Sequence, residues 1–263
     1  MTNSVQQAAD HLWDAQKTGV LCDPVRNLIG PSDIKAAYEV QSINNHRRME
    51  QGARLVGHKI GLTSKAVQEQ LGVDQPDYGM LFHDMDVMLG GEIPWSDVLQ
   101  PKVEAEIAFV LGDDLTEERL STVDIISAID YSLPALEIVG SRVKNWDIGI
   151  TDTIADNASS AKFVIGHNPV VLGDFDLLGC AMAMKQNGDV VSTGKGSDCL
   201  GSPINATLWL ARTMAAAGHP LKAGDVVLSG ALGKFATANP GDQFEATIKG
   251  LGSVNVRFSP KSS

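Results

Sequence analysis

The strongest constraint on how this chain can fold is a change of texture near residue 75. Before it, apolar residues recur at helical spacing. Val5, Ala8, Ala9, Leu12 and Trp13 form one stripe, and Ile34, Ala37, Tyr38 and Val40 form another. Ser32 predicts the N-cap of the second helix, and Gly52, just after Gln51, its stop. A short strand at Arg54–Ile60 and a small helix capped by Thr63 or Ser64 and ended by Gly72 complete this part. Beyond it come short β-type runs broken by Gly, Pro and Asp: 103–111, 136–139, 162–165, 181–185, 225–229, 244–248 and 253–258. Lys249-Gly250-Leu251-Gly252 predicts a hairpin between the last two. Two helices interrupt the strands. One begins at Ser121 with Asp124 three residues on, a capping box, and the other runs from Pro203 to Ala217 before Gly218.

Helices first and strands afterwards is not a βαβ alternation, and no G-x-G-x-x-G follows a strand. A doubly wound nucleotide-binding fold is therefore excluded. With no internal repeat or linker, residues 1–263 read as one α+β domain. Its N-terminal part, 1–75, is mainly helical, and 76–263 form a β-rich core.

Charge removes several classes of function. The 263 residues carry 21 Lys and Arg against 32 Asp and Glu, a formal charge of -11. A pI near 4.9 argues against nucleic acid, whose phosphates are bound by clustered Lys and Arg. No apolar run is long enough to span a bilayer, and the first residues lack the basic and apolar regions of a secretory signal. Cys22, Cys180 and Cys199 are odd in number and scattered, which suits neither a disulfide framework nor a zinc site. A reducing cytoplasm is the expected location.

The chemistry concentrates in Pro101–Leu111, PKVEAEIAFVL. As a strand it projects Glu104 and Glu106 to one face, continued by Ala108 and Val110. Adjacent carboxylates on a buried face repel each other and lose hydration, so something must compensate. A third, Glu137, stands among apolar residues in LPALEIV. Together they make an all-oxygen set suited to a hard divalent cation, Mg²⁺ or Mn²⁺. The alternative is a solvated edge strand, with Glu137 paired to an arginine.

Three other segments admit two readings each. Lys59, between Gly57 and Gly61, is either a surface strand lysine, as its own window favours, or a buried acid/base or anion-holding group. Asp77, in DQPDYG, is either a turn residue or a loop-borne acid/base. The run 152–160, DTIADNASS, is either an Asx-type turn or a polar loop in which Asn157 and Ser159 orient a substrate carboxylate or a water. His58 and His83 read as hydrogen-bonded structural histidines, and Met80, Met85 and Met88 as core filler.

Taken in order, GHKIGLTSKAVQEQLGV, PDYG, PKVEAEIAFVL, PALEIVGSR, DTIADNASS, LGSPINATLWLA, LKAGDVVLSGALG and GLGSVNVRF resemble the 2-keto-4-pentenoate (2-hydroxypenta-2,4-dienoate) hydratases. These belong with the 4-oxalocrotonate decarboxylases in the fumarylacetoacetate hydrolase superfamily. The resemblance runs from about Asp33 to Phe258. It implies a mixed β-roll core with an N-terminal helical layer. It implies Mg²⁺ or Mn²⁺ on Glu104, Glu106 and Glu137, Lys59 and Asp77 as an acid/base pair, and Ser159 at the substrate. It also implies a homo-oligomer in meta-cleavage degradation of aromatic compounds, able to associate with the pathway's decarboxylase or aldolase. The implied substrate is a small anionic 2-hydroxydienoate that gains water to give 4-hydroxy-2-oxopentanoate.

A decarboxylase or a dioic-acid hydratase would use the same metal site but needs a cation for the distal carboxylate. Lys234, in GALGKF, is the candidate, against a solvated loop lysine, which its window favours. A non-catalytic partner subunit is the remaining alternative, and the full set of site residues speaks against it.

Overall fold

The computed structural model describes residues 3–63 and 75–261. The small helix expected between Thr63 and Gly72 falls on residues 64–74, outside the described residues.

Helices α1 (Asn3–Thr18), α2 (Arg26–Ile29) and α3 (Ile34–Glu50) form the N-terminal layer. The α1 stripe buries Val5, Ala8, Ala9 and Leu12, joined by Ala15. Trp13 stays half-buried, with the cations of Lys17 and Arg47 4.9 and 5.6 Å from its ring centroid. The cap of α3 is Asp33, one residue past the expected Ser32, and its carboxylate accepts from the Ala36 N–H at 3.0 Å. Both types cap well, but only the carboxylate also complements the positive end of the helix dipole.

The strands are β1 (Leu55–Gly61), β2 (Asp77–Phe82), β3 (Glu92–Ile93), β4 (Lys102–Leu111), β5 (Ile129–Val139), β6 (Ser160–Ile165), β7 (Ala181–Gln186), β8 (Asp189–Lys195), β9 (Val226–Leu228), β10 (Ala236–Thr237), β11 (Gln243–Ile248) and β12 (Gly252–Phe258). Seven form one sheet in the order β2-β1-β9-β4-β5-β6, with β10 beside β4. The other five form a second sheet, β3-β12-β11-β7-β8. Pairing is mixed: β1–β9 and β12–β3 are parallel, whereas β1–β2, β4–β5 and β5–β6 are antiparallel. The remaining α-helices among the described residues are α4 (Thr122–Ala128), α5 (Ile150–Ala155) and α6 (Pro203–Ala216). The Ser121–Asp124 capping box and the β11–β12 hairpin stand where expected.

Alternation along β4 sorts its side chains. Val103, Ala105, Ile107 and Phe109 join Leu136 and Ile138 of β5 in a core shared with Phe244, Val254, Val256 and Phe258 of the second sheet and with Leu210 and Met214 of α6. The opposite face carries Ala108, Leu133, Ala135 and Leu228, packed with Leu81, Phe82 and Phe163. The glutamates stand on that face. A third cluster joins the N-terminal helices to Val143, Ile150, Ile154 and Ala155, so the helical layer presses on the segment that leads into residues 156–160. Among the described residues no helix is long and apolar enough to cross a membrane.

Candidate active site

Strand order brings the three glutamates together. Glu104 faces Glu137 across the β4–β5 ladder, and Glu106 follows two residues along on the same face. β4 lies between β9 and β5, so the edge-strand alternative fails. Glu106 and Glu137 are 1% and 0% exposed, and Glu104 is half-buried. One carboxylate oxygen of each lies within 4.8 Å of the others. Glu106 Oε2 accepts from the Gly230 N–H at 2.9 Å. Among the described residues, Glu106 Oε1 and both Glu137 oxygens accept no hydrogen bond. Buried polar atoms are normally satisfied, so converging carboxylate oxygens short of hydrogen-bond donors fit a cation between them.

Burial and mutual repulsion also shift these acids. Burial, then the Glu137 charge, pushes Glu104 up to about 7. Burial, with Glu137 and Glu104, holds Glu106 well above the ordinary carboxylate range. A group raised in the folded state keeps its proton while the unfolded chain loses it, so stability falls as pH rises from about 4.5 to about 7. The metal-free protein should therefore melt at a lower temperature at pH 8 than at pH 5. Mg²⁺ should raise the melting temperature more at pH 8. Thermal melts with and without chelator check both signs.

Lys59 is buried, not on the surface. β1 runs between β2 and β9, and Lys59 shares the carboxylate side with its Nζ 3.2 Å from Glu137 Oε2. The same Nζ donates to the Ala158 carbonyl at 3.0 Å. Burial pulls the ammonium's pKa down, but Glu137, Asp77, Glu104 and Glu106 outweigh it and raise it, so Lys59 is cationic. The arginine expected as an alternative partner of Glu137 is replaced by this lysine.

Asp77 opens a strand rather than sitting in a loop: it begins β2 and pairs with Gly61. Thr153 Oγ1 donates to Asp77 Oδ2 at 3.4 Å and lies 3.2 Å from Ser159 Oγ, a hydroxyl chain ending on the carboxylate. Asp77 Oδ1 has no partner among the described residues. Burial raises the Asp77 pKa, and Lys59 opposes the rise. A Cβ on Gly61 would fall 2.1 Å from Asp77 Oδ1 and 3.3 Å from Lys59 Nζ. Gly61→Ala must therefore displace the carboxylate. Because a misplacement near 1 Å can cost about 100-fold, we expect kcat to fall by about that factor with Mg²⁺ affinity nearly unchanged. Steady-state kinetics and calorimetry on one preparation check it.

The loop after α5 completes the site. Asn157, Ala158 and Ser159 all have left-handed φ, at 55°, 50° and 59°. Residues with a Cβ adopt that region at a cost of roughly 1–2 kcal/mol each, so the run must be held in place. Two anchors hold it. The Asn157 amide pairs with the Met80 backbone, accepting its N–H at 2.8 Å and donating to its carbonyl at 2.9 Å. Asn45 of α3 also donates to Asn157 Oδ1, at 3.3 Å. At the loop's start, the Arg142 guanidinium grips the Asp156 carboxylate, both buried. Gly79 permits the approach, since a Cβ there would fall 2.3 Å from Asn157 O.

The sequence placed Asn157 at substrate or water. Its amide is instead committed to Met80 and Asn45, which makes it the residue that shapes the loop. Ser159 keeps its hydroxyl beside that of Thr153, in the chain that ends on Asp77. Thr153, Gly61, Gly79 and Gly230 were missed, although a glycine two residues from Lys59 and a threonine within DTIADNASS were visible signals.

Other expectations are corrected. His58 is buried, but neither ring nitrogen has a partner among the described residues, and burial pushes its pKa down to about 4. It packs as a neutral ring, because burial disfavours its charged form. His83 does bond, its Nδ1 accepting from the Arg54 N–H at 3.0 Å. Met85 is core, whereas Met80 is half-buried and Met88 is 81% exposed in the turn before β3.

The chain is similar to known proteins along nearly its whole length. Residues 51–259 match the family described as fumarylacetoacetate (FAA) hydrolase C-terminal. The chain is 58% identical to the TodF product hydratase of Pseudomonas putida strain F1, over 98% of its own length and 96% of that protein's. It is 51% identical to 2-keto-4-pentenoate hydratase 1 of Dechloromonas aromatica, over 97% of each chain. Its structure superposes on 4-oxalocrotonate decarboxylase from Pseudomonas putida G7, complexed with magnesium and adipate, with a TM-score of 0.93, 34% identity and 98% of both chains covered.

Proposed function

Because this chain belongs to the fumarylacetoacetate hydrolase family, we propose that it is a divalent-metal-dependent hydratase. It adds water to 2-hydroxypenta-2,4-dienoate and gives 4-hydroxy-2-oxopentanoate, in meta-cleavage degradation of aromatic compounds. The observation that carries this reading is the buried three-glutamate cluster beside Lys59 and Asp77, in a chain whose relatives at 51–58% identity are named hydratases.

The residues fit Mg²⁺ or Mn²⁺: every donor is an oxygen, three oxygens lack hydrogen bonds, and one lysine cannot neutralise four acids. Glu104, Glu106 and Glu137 would hold the divalent cation, which would supply Lewis acidity to the substrate's 2-oxo group. Lys59 Nζ, fixed between Glu137 and the Ala158 carbonyl, carries the proton exchanged as the dienol becomes a 2-oxo acid. Asp77 Oδ1, free of hydrogen bonds among the described residues, takes a proton from the water that adds at C4, and a proton added at C3 completes the hydration. Thr153 holds the other oxygen of Asp77, and Ser159 extends that chain toward the substrate. Asn157 shapes the loop that presents the Ala158 carbonyl and Ser159.

The same reading extends to residues 1–263 as one hydratase domain, to a homo-oligomer in the cytoplasm, and to work beside a decarboxylase or aldolase. Lys234 is exposed to solvent, which favours a substrate without a distal carboxylate. The test is a dienol assay with Mg²⁺ or Mn²⁺. Dienol absorbance should decay only with the cation, and the product should be heavier by one water. Loss of CO₂ from a dioic substrate without water addition would replace the hydratase by a decarboxylase.

A further inference from the structure

Lys102, the first residue of β4, shares the face of Glu104 and Glu106, because side chains alternate along a strand. Register with β5 is unbroken from Lys102 to Val110, so no bulge turns it away. Its ammonium is caught between two rings, 4.0 Å from the Trp146 centroid and 4.2 Å from that of Phe235. Aromatic faces hold a cation without using its N–H donors. Among the described residues Lys102 forms neither an ion pair nor a hydrogen bond, so those donors are free. Phe235 is 49% exposed, so this cage opens to solvent.

The cage also lies at the substrate end of the site. Val139, opposite Lys102, pairs with Ser160, and the Gly140 N–H donates to the Ser159 carbonyl at 2.7 Å. Charge requires such a group. Four acids surround the Lys59 ammonium, so an entering carboxylate remains unbalanced by Lys59 and a divalent cation together.

Resting on the reading of the site as one for small 2-oxo acids, we infer that Lys102 is a ligand-binding residue whose Nζ, held between Trp146 and Phe235, takes the substrate carboxylate adjoining C2. The exposed Lys234 has no such placement.

Pyruvate serves as the probe, titrated calorimetrically into the Mg²⁺-loaded protein, with Mg²⁺ binding to the metal-free protein measured alongside. Lys102→Met should weaken pyruvate binding roughly 10–100-fold, the weight of a charge-assisted hydrogen bond. Mg²⁺ affinity should hold or rise slightly, which also shows that the variant is folded. Lys102→Arg should restore most of the pyruvate affinity, and Lys234→Met should match the wild type. Unchanged pyruvate affinity in Lys102→Met overturns the inference. So does a loss confined to 2-oxoadipate, which would put the ammonium at the distal end of a diacid. Failure of the wild type itself to bind pyruvate with Mg²⁺ overturns the site reading and the inference with it.

Discussion

Lys59→Met lowers turnover by roughly 100- to 10,000-fold, the usual weight of a positioned acid or base, while the Mg²⁺-loaded protein stays folded. The reason is the number of acids that this one ammonium faces. Lys59 Nζ lies 3.2 Å from Glu137 and balances Asp77, Glu104 and Glu106 as well. Methionine keeps the stem's packing and removes the proton carrier. In the metal-free variant the acids lose the buried ammonium that balances them and must take up protons, so stability at pH 8 falls. Mg²⁺ replaces the lost charge and restores it. Mg²⁺ affinity changes little or rises, because a repelling cation is gone. Melts with and without Mg²⁺, set beside kcat, separate this outcome from simple unfolding. Unchanged kcat would make Lys59 a structural residue.

Glu106→Gln should show two effects of opposite sign. Burial and the charges of Glu137 and Glu104 oppose ionisation of Glu106 in the metal-free protein. Glutamine has the same shape, and its carbonyl can still accept the Gly230 N–H that Glu106 Oε2 accepts at 2.9 Å. Removing the charge relieves repulsion, so the melting temperature of the metal-free variant rises at pH 8. Removing a direct ligand weakens Mg²⁺ by more than about 100-fold, beyond the 10–100-fold typical of residues that only support ligands. A glutamate serving the fold alone would give the reverse: lower stability and no change in Mg²⁺ binding. Calorimetry and thermal melts on one variant decide between them.

The carboxylate cluster was legible because alternation along a single strand places Glu104 and Glu106 together, and Glu137 stands in an equally apolar run. Lys59 was not, because its burial comes from distant chain. β9 pairs with β1 from far along the sequence, setting Leu228 beside Lys59. β2 was hidden by Asp77 and Gly79, residues of turn chemistry that here admit the 157–159 loop. β8 was invisible for another reason: its valines are exposed on a sheet edge, so no buried face marks it. The three left-handed residues at 157–159 left no signal, since no glycine announces them. The helical layer on a β-rich core followed from the order of elements, whereas the roll followed from the family resemblance.

Crystals grown without metal and soaked in Mn²⁺ give the most direct test of the central claim, that these buried carboxylates are a metal centre. The account predicts one strong anomalous peak bounded by oxygens of Glu104, Glu106 and Glu137 at about 2.0–2.2 Å, with Lys59 Nζ outside the coordination sphere. Soaked crystals with no peak there, and the three carboxylates unmoved around ordered water, would contradict it.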